Sequence, residues 1–85
     1  MITNFQSRPR KHAKTGTDPD ALALGDTVRE ARIRSGLTQD QLALTSGVGR
    51  DTVMAIENGR GSVSLGRALR VLKALGLRIV PKERD

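Results

Sequence analysis

Apolar residues recur at helical spacing through much of this 85-residue chain. Leu24, Val28 and Ala31 share one helical face and predict a first helix that ends near Ser35. An Asp-Pro pair at its start supplies an N-cap side chain and a proline suited to the first helical position. Gly36 follows the last helical residue and can end the helix in a left-handed conformation.

Three more helices follow, and glycine residues separate them. Thr38 and Gln41 form a capping box at the start of the second predicted helix, in which each side chain accepts from the other residue's backbone N–H. Val53 and Ile56 point inward from the third helix, and leucines recur at helical spacing along the fourth. The predicted helices cover about residues 38–46, 50–58 and 64–75.

The last apolar segment changes its period. Leu77 and Ile79 alternate with a polar residue ahead of Pro81, which predicts a short β-strand over residues 77–80. No other segment of the sequence predicts a strand, so this one either frays or pairs with a second copy of itself across a two-fold axis. Self-pairing is the favoured interpretation, with Leu77, Ile79 and Val80 as dimerisation residues. The predicted fold class is therefore all-α, with four to five helices and a C-terminal β-strand that pairs across a dimer.

The formal net charge of +6 is carried by the two ends of the chain. Residues 1–17 are polar and basic without periodicity and are interpreted as a flexible arm. Residues 18–76 form the helical domain, and residues 77–85 form the dimerisation strand and tail. Within residues 21–63, five basic residues balance five acidic ones. The charged ends are either solvated or hold a phosphate backbone or an acidic protein.

The composition removes several kinds of chemistry. The chain has no cysteine, and His12 and Phe5 are its single histidine and its single aromatic residue. Disulfides, thiolate zinc sites and sites built on several imidazoles are therefore excluded, as are surfaces that bind bases by aromatic stacking. The sequence contains neither a Ser-His-Asp set nor a phosphate-binding loop, and its acidic residues are dispersed. We expect no enzyme activity, no metal and no cofactor.

A tight turn, Gly47-Val48-Gly49, joins the second and third predicted helices. Two short helices about such a turn are typical of a helix-turn-helix, here over about residues 39–58. In this motif the first helix crosses the DNA backbone, and the N-terminal residues of the second enter the major groove. The spacing therefore predicts that the third helix of the chain is the recognition helix.

The residues around this motif are more specific than two helices and a turn. They read Leu24-Gly-x-x-Val-Arg-x-x-Arg32, Gly36-Leu-Thr-Gln-x-x-Leu-Ala43, Gly47-Val, Ile56-Glu-Asn-Gly59, Ser64-Leu and Leu72-x-x-Leu75-Gly76. On these residues, which cover about residues 22–76 without a gap, the chain resembles the phage-repressor-like helix-turn-helix family of the XRE type. The resemblance implies a lambda-repressor-like domain and a sequence-specific transcriptional repressor that binds double-stranded DNA.

The resemblance also implies DNA contacts at the start of the second helix, at the start of the third and in the turn that follows it. These positions are Thr38, Gln39, Gly49, Arg50, Asp51, Thr52, Ala55, Asn58 and Arg60. Gln39 is expected to bind a phosphate and Arg50 to donate to guanine O6 and N7. Asp51 is expected to accept from cytosine N4. Arg50 alternatively contacts phosphate or solvent, and Asp51 alternatively caps the third helix. Ala55 offers only apolar contact where the family often carries a further polar reader.

Arg32 and Glu57 match a pair that forms a buried salt bridge in this family. The resemblance therefore implies that both residues are structural, with the first helix tied to the third. Removing one partner of such a pair leaves the other charge buried and uncompensated, which costs about 3–5 kcal/mol.

The segment Leu75-Gly-Leu-Arg-Ile-Val-Pro81 resembles the end of HipB-like antitoxins. The resemblance implies a homodimer that binds a palindromic operator, represses its own operon and holds a HipA-like kinase toxin inactive. A solitary XRE-type regulator without a toxin and a protein-interaction module that has lost DNA binding stay open as alternatives. No secretory or membrane segment is evident, so a cytoplasmic protein is expected, associated with the nucleoid when bound to DNA.

Overall fold

The computed structural model describes residues 16–82, which contain four α-helices joined by turns and loops. They are α1 (Pro19–Arg34), α2 (Gln39–Ser46), α3 (Arg50–Glu57) and α4 (Leu65–Ala74). The all-α prediction is confirmed for this part of the chain, with helix bounds close to those predicted from caps and glycines. None of these helices is long and apolar enough to cross a membrane.

The side chains predicted to cap the helices do so. Asp18 accepts a hydrogen bond from an N–H in the first turn of α1 at 3.0 Å, and Ser64 accepts one in the first turn of α4 at 3.3 Å. The capping box of α2 is complete, because Thr38 Oγ1 accepts from the Gln41 N–H at 3.0 Å and Gln41 Oε1 accepts from the Thr38 N–H at 2.8 Å. These bonds satisfy N–H groups that have no partner within the helix, so they fix where each helix begins.

Apolar side chains from all four helices build the core. α1 packs on α3, and α2 packs on both α3 and α4. Partly buried residues outside the helices, including Leu37, Val48 and Leu77, cover the cluster from the loops. The buried residues at its centre are Val28, Leu42, Ala43, Val53, Ile56, Val71 and Leu72.

The buried face of α1 contains Val28 and Ala31 as predicted, but Gly25 takes the place of Leu24. Leu24, which the sequence places on the inward face, is 37% exposed, and the buried residues of α1 are Gly25, Val28 and Ala31. A Cβ atom at Gly25 would collide with the backbone oxygen of Ile56. Glycine at this position therefore lets the backbones of α1 and α3 approach more closely than any side chain would permit.

The folded unit begins before residue 18, its predicted start. The N–H of Gly16 donates to the carbonyl oxygen of Asn58 at 3.1 Å, in the turn after α3. A Cβ atom at Gly16 would collide with the backbone of Gly59, so the two segments are in close contact. Gly16, near the end of the predicted arm, thus contacts the domain, whereas residues 1–15 lie outside the described part.

The β-strand predicted over residues 77–80 is not formed in the described chain, which holds only helices, turns and loops. Leu77 covers the core, and its N–H donates to the carbonyl oxygen of Leu72 at 2.8 Å, closing the end of α4. Ile79 and Val80 are 68% and 67% exposed. A strand needs the N–H and C=O groups of a neighbouring strand, which no described segment of this chain supplies. Pairing with a second copy stays a prediction.

Replacing Gly25 with alanine should lower the free energy of unfolding by about 1–3 kcal/mol, because the added methyl group forces α1 away from the carbonyl of Ile56. Urea unfolding followed by circular dichroism measures the change. Gly66→Ala is the matched control, since nothing lies within 4 Å of a Cβ atom there. Alanine at that position should raise the free energy of unfolding by about 0.4–1 kcal/mol. A Gly25→Ala variant as stable as the wild type would contradict the close approach of α1 to α3.

Candidate nucleic-acid interface

The backbone of the turn between α2 and α3 is firmly held. Gly47 ends α2 with a φ of 75°, a left-handed conformation that favours glycine. The N–H groups of Gly47 and Val48 both donate to the carbonyl oxygen of Ala43, at 2.9 and 3.1 Å. The side chain of Val48 packs against the core. The turn therefore fixes α2 and α3 relative to each other, as a helix-turn-helix requires.

The N-terminus of α3 is open and exposed. Gly49 occupies its N-cap position, and no side chain accepts a cap hydrogen bond there. The capping role that the sequence left open for Asp51 is therefore not seen. Arg50 and Asp51 are exposed in the first turn of α3. Both side chains lie where a base edge or a phosphate could reach them.

Consecutive residues at the start of α2 contact opposite ends of α3. Gln39 reaches Glu57 at the end of α3 at 3.1 Å, and Asp40 reaches Arg50 at its start at 3.2 Å. Of the other predicted contact residues, Thr52, Ala55 and Asn58 are half-buried, whereas Thr38, Gly49 and Arg60 are exposed. The structure therefore brings the two helix N-termini together. Within residues 16–82 it assembles no group of three His, Asp or Glu side chains that could hold a metal ion.

Glu57 is a buried carboxylate surrounded by donors. Its side chain is 1% exposed, and that of its partner Arg32 is 13% exposed. Arg32 Nε donates to Glu57 Oε2 at 2.6 Å, and Arg32 Nη2 donates to Oε1 at 3.1 Å. The third nitrogen, Nη1, donates to the carbonyl oxygen of Leu37 at 2.9 Å. The salt bridge that the resemblance implied is therefore present as a bidentate pair, which joins α1 and the loop before α2 to the end of α3.

Gln39 takes part in this network, which the sequence did not indicate. Its Nε2 donates to Glu57 Oε1 at 3.1 Å, and its side chain is half-buried. A primary amide carries two N–H donors. One of them fixes the side chain on Glu57, and the other is still available to a phosphate. The expected phosphate contact of Gln39 is thus compatible with a structural role.

Arg50, the predicted guanine reader, forms an ion pair with Asp40 of α2. Arg50 Nε lies 3.2 Å from Asp40 Oδ1, and the two side chains are 57% and 73% exposed. Asp40 is one of the acidic residues dispersed along the sequence, and its pair with Arg50 was not predicted. The available signal was its position directly after Gln39, because a helix-turn-helix brings the first turns of its two helices together.

These features define a helix-turn-helix domain in which a buried network supports α3, the second helix of the motif, whose N-terminus is open. The model of the helix-turn-helix family HTH_3 matches residues 28–81, and the chain belongs to this family of DNA-binding transcriptional regulators. It is 51% identical over 49 residues to an uncharacterized HTH-type transcriptional regulator of Methanothermobacter thermautotrophicus, which is 58% of this chain and 71% of the relative. It is 38% identical over 69 residues to regulator y4mF of Sinorhizobium fredii, which is 81% of this chain and 84% of the relative.

Solved structures share the fold. The restriction-modification controller protein C.AhdI from Aeromonas hydrophila has a TM-score of 0.65 and 36% identity, covering 72% of this chain and 92% of its own. A chain of the HipA-HipB-O2-O3 complex has a TM-score of 0.70 and 22% identity, covering 81% of this chain and 97% of its own. At that identity the second likeness concerns the fold alone. The lambda-repressor-like fold expected from the sequence is therefore confirmed.

Replacing Glu57 with alanine should lower the free energy of unfolding by about 3–5 kcal/mol, because Arg32 would stay buried without its counter-charge. Urea unfolding measures the change without the screening that an ionic denaturant would add. Glu30→Ala removes an exposed carboxylate from α1 and serves as the control, with an expected change within about 0.5 kcal/mol. Equal losses of stability in both variants would mean that the buried Glu57 contributes no more to the free energy of unfolding than an exposed carboxylate does.

Proposed function

We propose that this protein is a sequence-specific transcriptional repressor that binds double-stranded DNA as a homodimer. The observation that carries the proposal is the open N-terminus of α3, where Arg50 and Asp51 are exposed on a helix anchored by a buried ion pair. Direct readout of bases needs polar side chains on a rigid element that fits the major groove. α3 meets both requirements.

In this proposal the bases are read from the first turns of α3. Arg50 donates to guanine O6 and N7, and Asp51 accepts from cytosine N4. Thr52 bonds a base or a phosphate, and Ala55 meets a thymine methyl group. Ala55 limits the polar readout at its base pair, because a methyl group neither donates nor accepts.

Phosphates are bound by the groups on either side of this reading surface. At the start of α2 the Thr38 hydroxyl keeps its hydrogen while its oxygen caps the helix, and the second amide hydrogen of Gln39 is available. Asn58 and Arg60 provide the contacts after α3, and the open N–H groups beside Gly49 attract an anion. These contacts position the protein on the duplex and carry no sequence information.

The helix-turn-helix region itself has no positive excess, since five basic residues balance five acidic ones within residues 21–63. This charge balance is the observation that most favours the alternative, a protein-interaction module that has lost DNA binding. In our proposal the basic ends of the chain, including residues 1–17, supply the general attraction to phosphates. Gly16, near the end of that segment, is bonded to Asn58 in the turn that is proposed to contact the backbone.

Replacing Arg50 with alanine should weaken binding to the preferred duplex by about 1–3 kcal/mol and relax the choice of base at one position. Replacing Arg60 with alanine should instead weaken preferred and scrambled duplexes alike and reduce the salt dependence of binding by about one phosphate contact. Fluorescence anisotropy on a duplex enriched from a random library by the wild-type protein measures both effects. An Arg50→Ala variant with unchanged base preference would exclude α3 as the reader, and wild-type binding without salt dependence would favour the protein-interaction module.

A homodimer fits the distribution of exposed apolar side chains. Leu65 and Leu69 on α4 are 71% and 42% exposed, and Ile79 and Val80 are 68% and 67% exposed. A groove between α4 and residues 76–79 is lined by two of these side chains, Leu69 and Ile79. Pairing of two copies along residues 77–80 would cover them. It would also place two recognition helices about 34 Å apart, the spacing of half-sites in a palindromic operator.

Replacing Ile79 and Val80 together with serine should shift the protein from dimer to monomer in sedimentation equilibrium, because both side chains would lose their burial in the interface. Leu77 is kept, since it covers the core of its own chain. Leu44→Ser is the matched control, because Leu44 is 85% exposed on α2, outside this region. A double variant that stays dimeric would exclude the C-terminal segment as the interface.

The finer candidate is the antitoxin of a HipBA-like module that represses its own operon and inhibits a HipA-like kinase toxin. The resemblance of residues 75–81 to the end of HipB-like antitoxins supports it. The alternative is a solitary XRE-type regulator. Purification of the protein from its native operon separates the two: a kinase-like protein from a neighbouring gene that stays bound supports the antitoxin. DNA binding without such a protein supports the solitary regulator.

A further inference from the structure

The ion pair between Asp40 and Arg50 contributes little to the stability of the fold. Its atoms lie 3.2 Å apart, but the side chains are 73% and 57% exposed. Exposed pairs of this kind contribute little to stability, because water and salt screen them. The pair nevertheless connects the first turns of α2 and α3, the two helix ends that face DNA in the proposed function.

We propose that Asp40 is a positioning residue that makes Arg50 selective for its base. The inference rests on the proposed function and adds a residue to its reading surface. The carboxylate of Asp40 lies at the Nε edge of the guanidinium. The Nη1 and Nη2 groups carry four further N–H donors, from which a bidentate contact to guanine can be made. Asp40 itself contacts no base.

Two physical effects follow from this arrangement. A free arginine side chain samples many rotamers, so holding it in place before binding lowers the entropy lost on a correct base. The carboxylate also cancels the charge of Arg50 and repels phosphates, so it weakens binding to every duplex. Asp40 therefore lowers the affinity for every duplex and raises the preference for one base over the others. This agrees with the absence of a positive charge excess within residues 21–63.

The first test compares Asp40→Asn with the wild type on three probes: the duplex enriched from a random library, its single base-pair variants and a scrambled duplex. Asp40→Asn should bind the scrambled duplex more tightly and lose about threefold or more of the preference at the base pair read by Arg50. Asp20→Asn is the matched control, because it removes the same charge from the first turn of α1. Both variants should unfold at the wild-type urea concentration, since both side chains are exposed.

The second test repeats Asp40→Asn in an Arg50→Ala background. If Asp40 acts through Arg50, the substitution causes no further loss of base preference there. The same loss in both backgrounds would overturn the inference, because Asp40 would then read a base directly. An unchanged preference in Asp40→Asn, or equal effects of Asp20→Asn and Asp40→Asn, would overturn it as well. A wild-type protein that enriches no sequence would overturn the proposed function itself, which is a different and recognisable result.

Discussion

The structure depends on the burial of one carboxylate. Glu57 is almost fully removed from water, so its charge must be compensated by donors within the protein. Arg32 from α1 and Gln39 from α2 supply those donors, and Arg32 is in turn bonded to the carbonyl of Leu37. The requirement to satisfy a single side chain therefore fixes the end of α3, the start of α2 and the end of α1 in one arrangement.

The two ion pairs that involve α3 have different roles. The position of α3 depends on the buried pair of Arg32 and Glu57, so removing either residue lowers the free energy of unfolding. The exposed pair of Asp40 and Arg50 is nearly neutral for the fold and lies on the proposed reading surface. A substitution in the exposed pair therefore leaves the scaffold intact, so the proposed base preference can change independently of the fold.

Caps and glycines made the helix bounds predictable, because Thr38 with Gln41 and Gly47 act within a few residues of the chain. Leu24 was wrongly assigned to the inward face of α1, because Gly25 has no side chain and a pattern built on apolar side chains selected its neighbour. Contacts such as Asp40 with Arg50 depend on how two helices cross, so they become visible only when both helices are placed together in the motif. The C-terminal strand was predicted from an alternating pattern alone, and the described chain offers that segment no neighbouring strand to pair with.

The bond between Gly16 and the carbonyl of Asn58 has a practical consequence for labelling. A fluorophore attached at Thr17, which is exposed, therefore lies beside the turn after α3 that is proposed to contact DNA. A label attached at Lys82 instead follows the apolar segment that contains Ile79 and Val80. The choice of labelling site therefore decides whether a probe reports on the proposed DNA interface or on the proposed contact with a second copy of the chain.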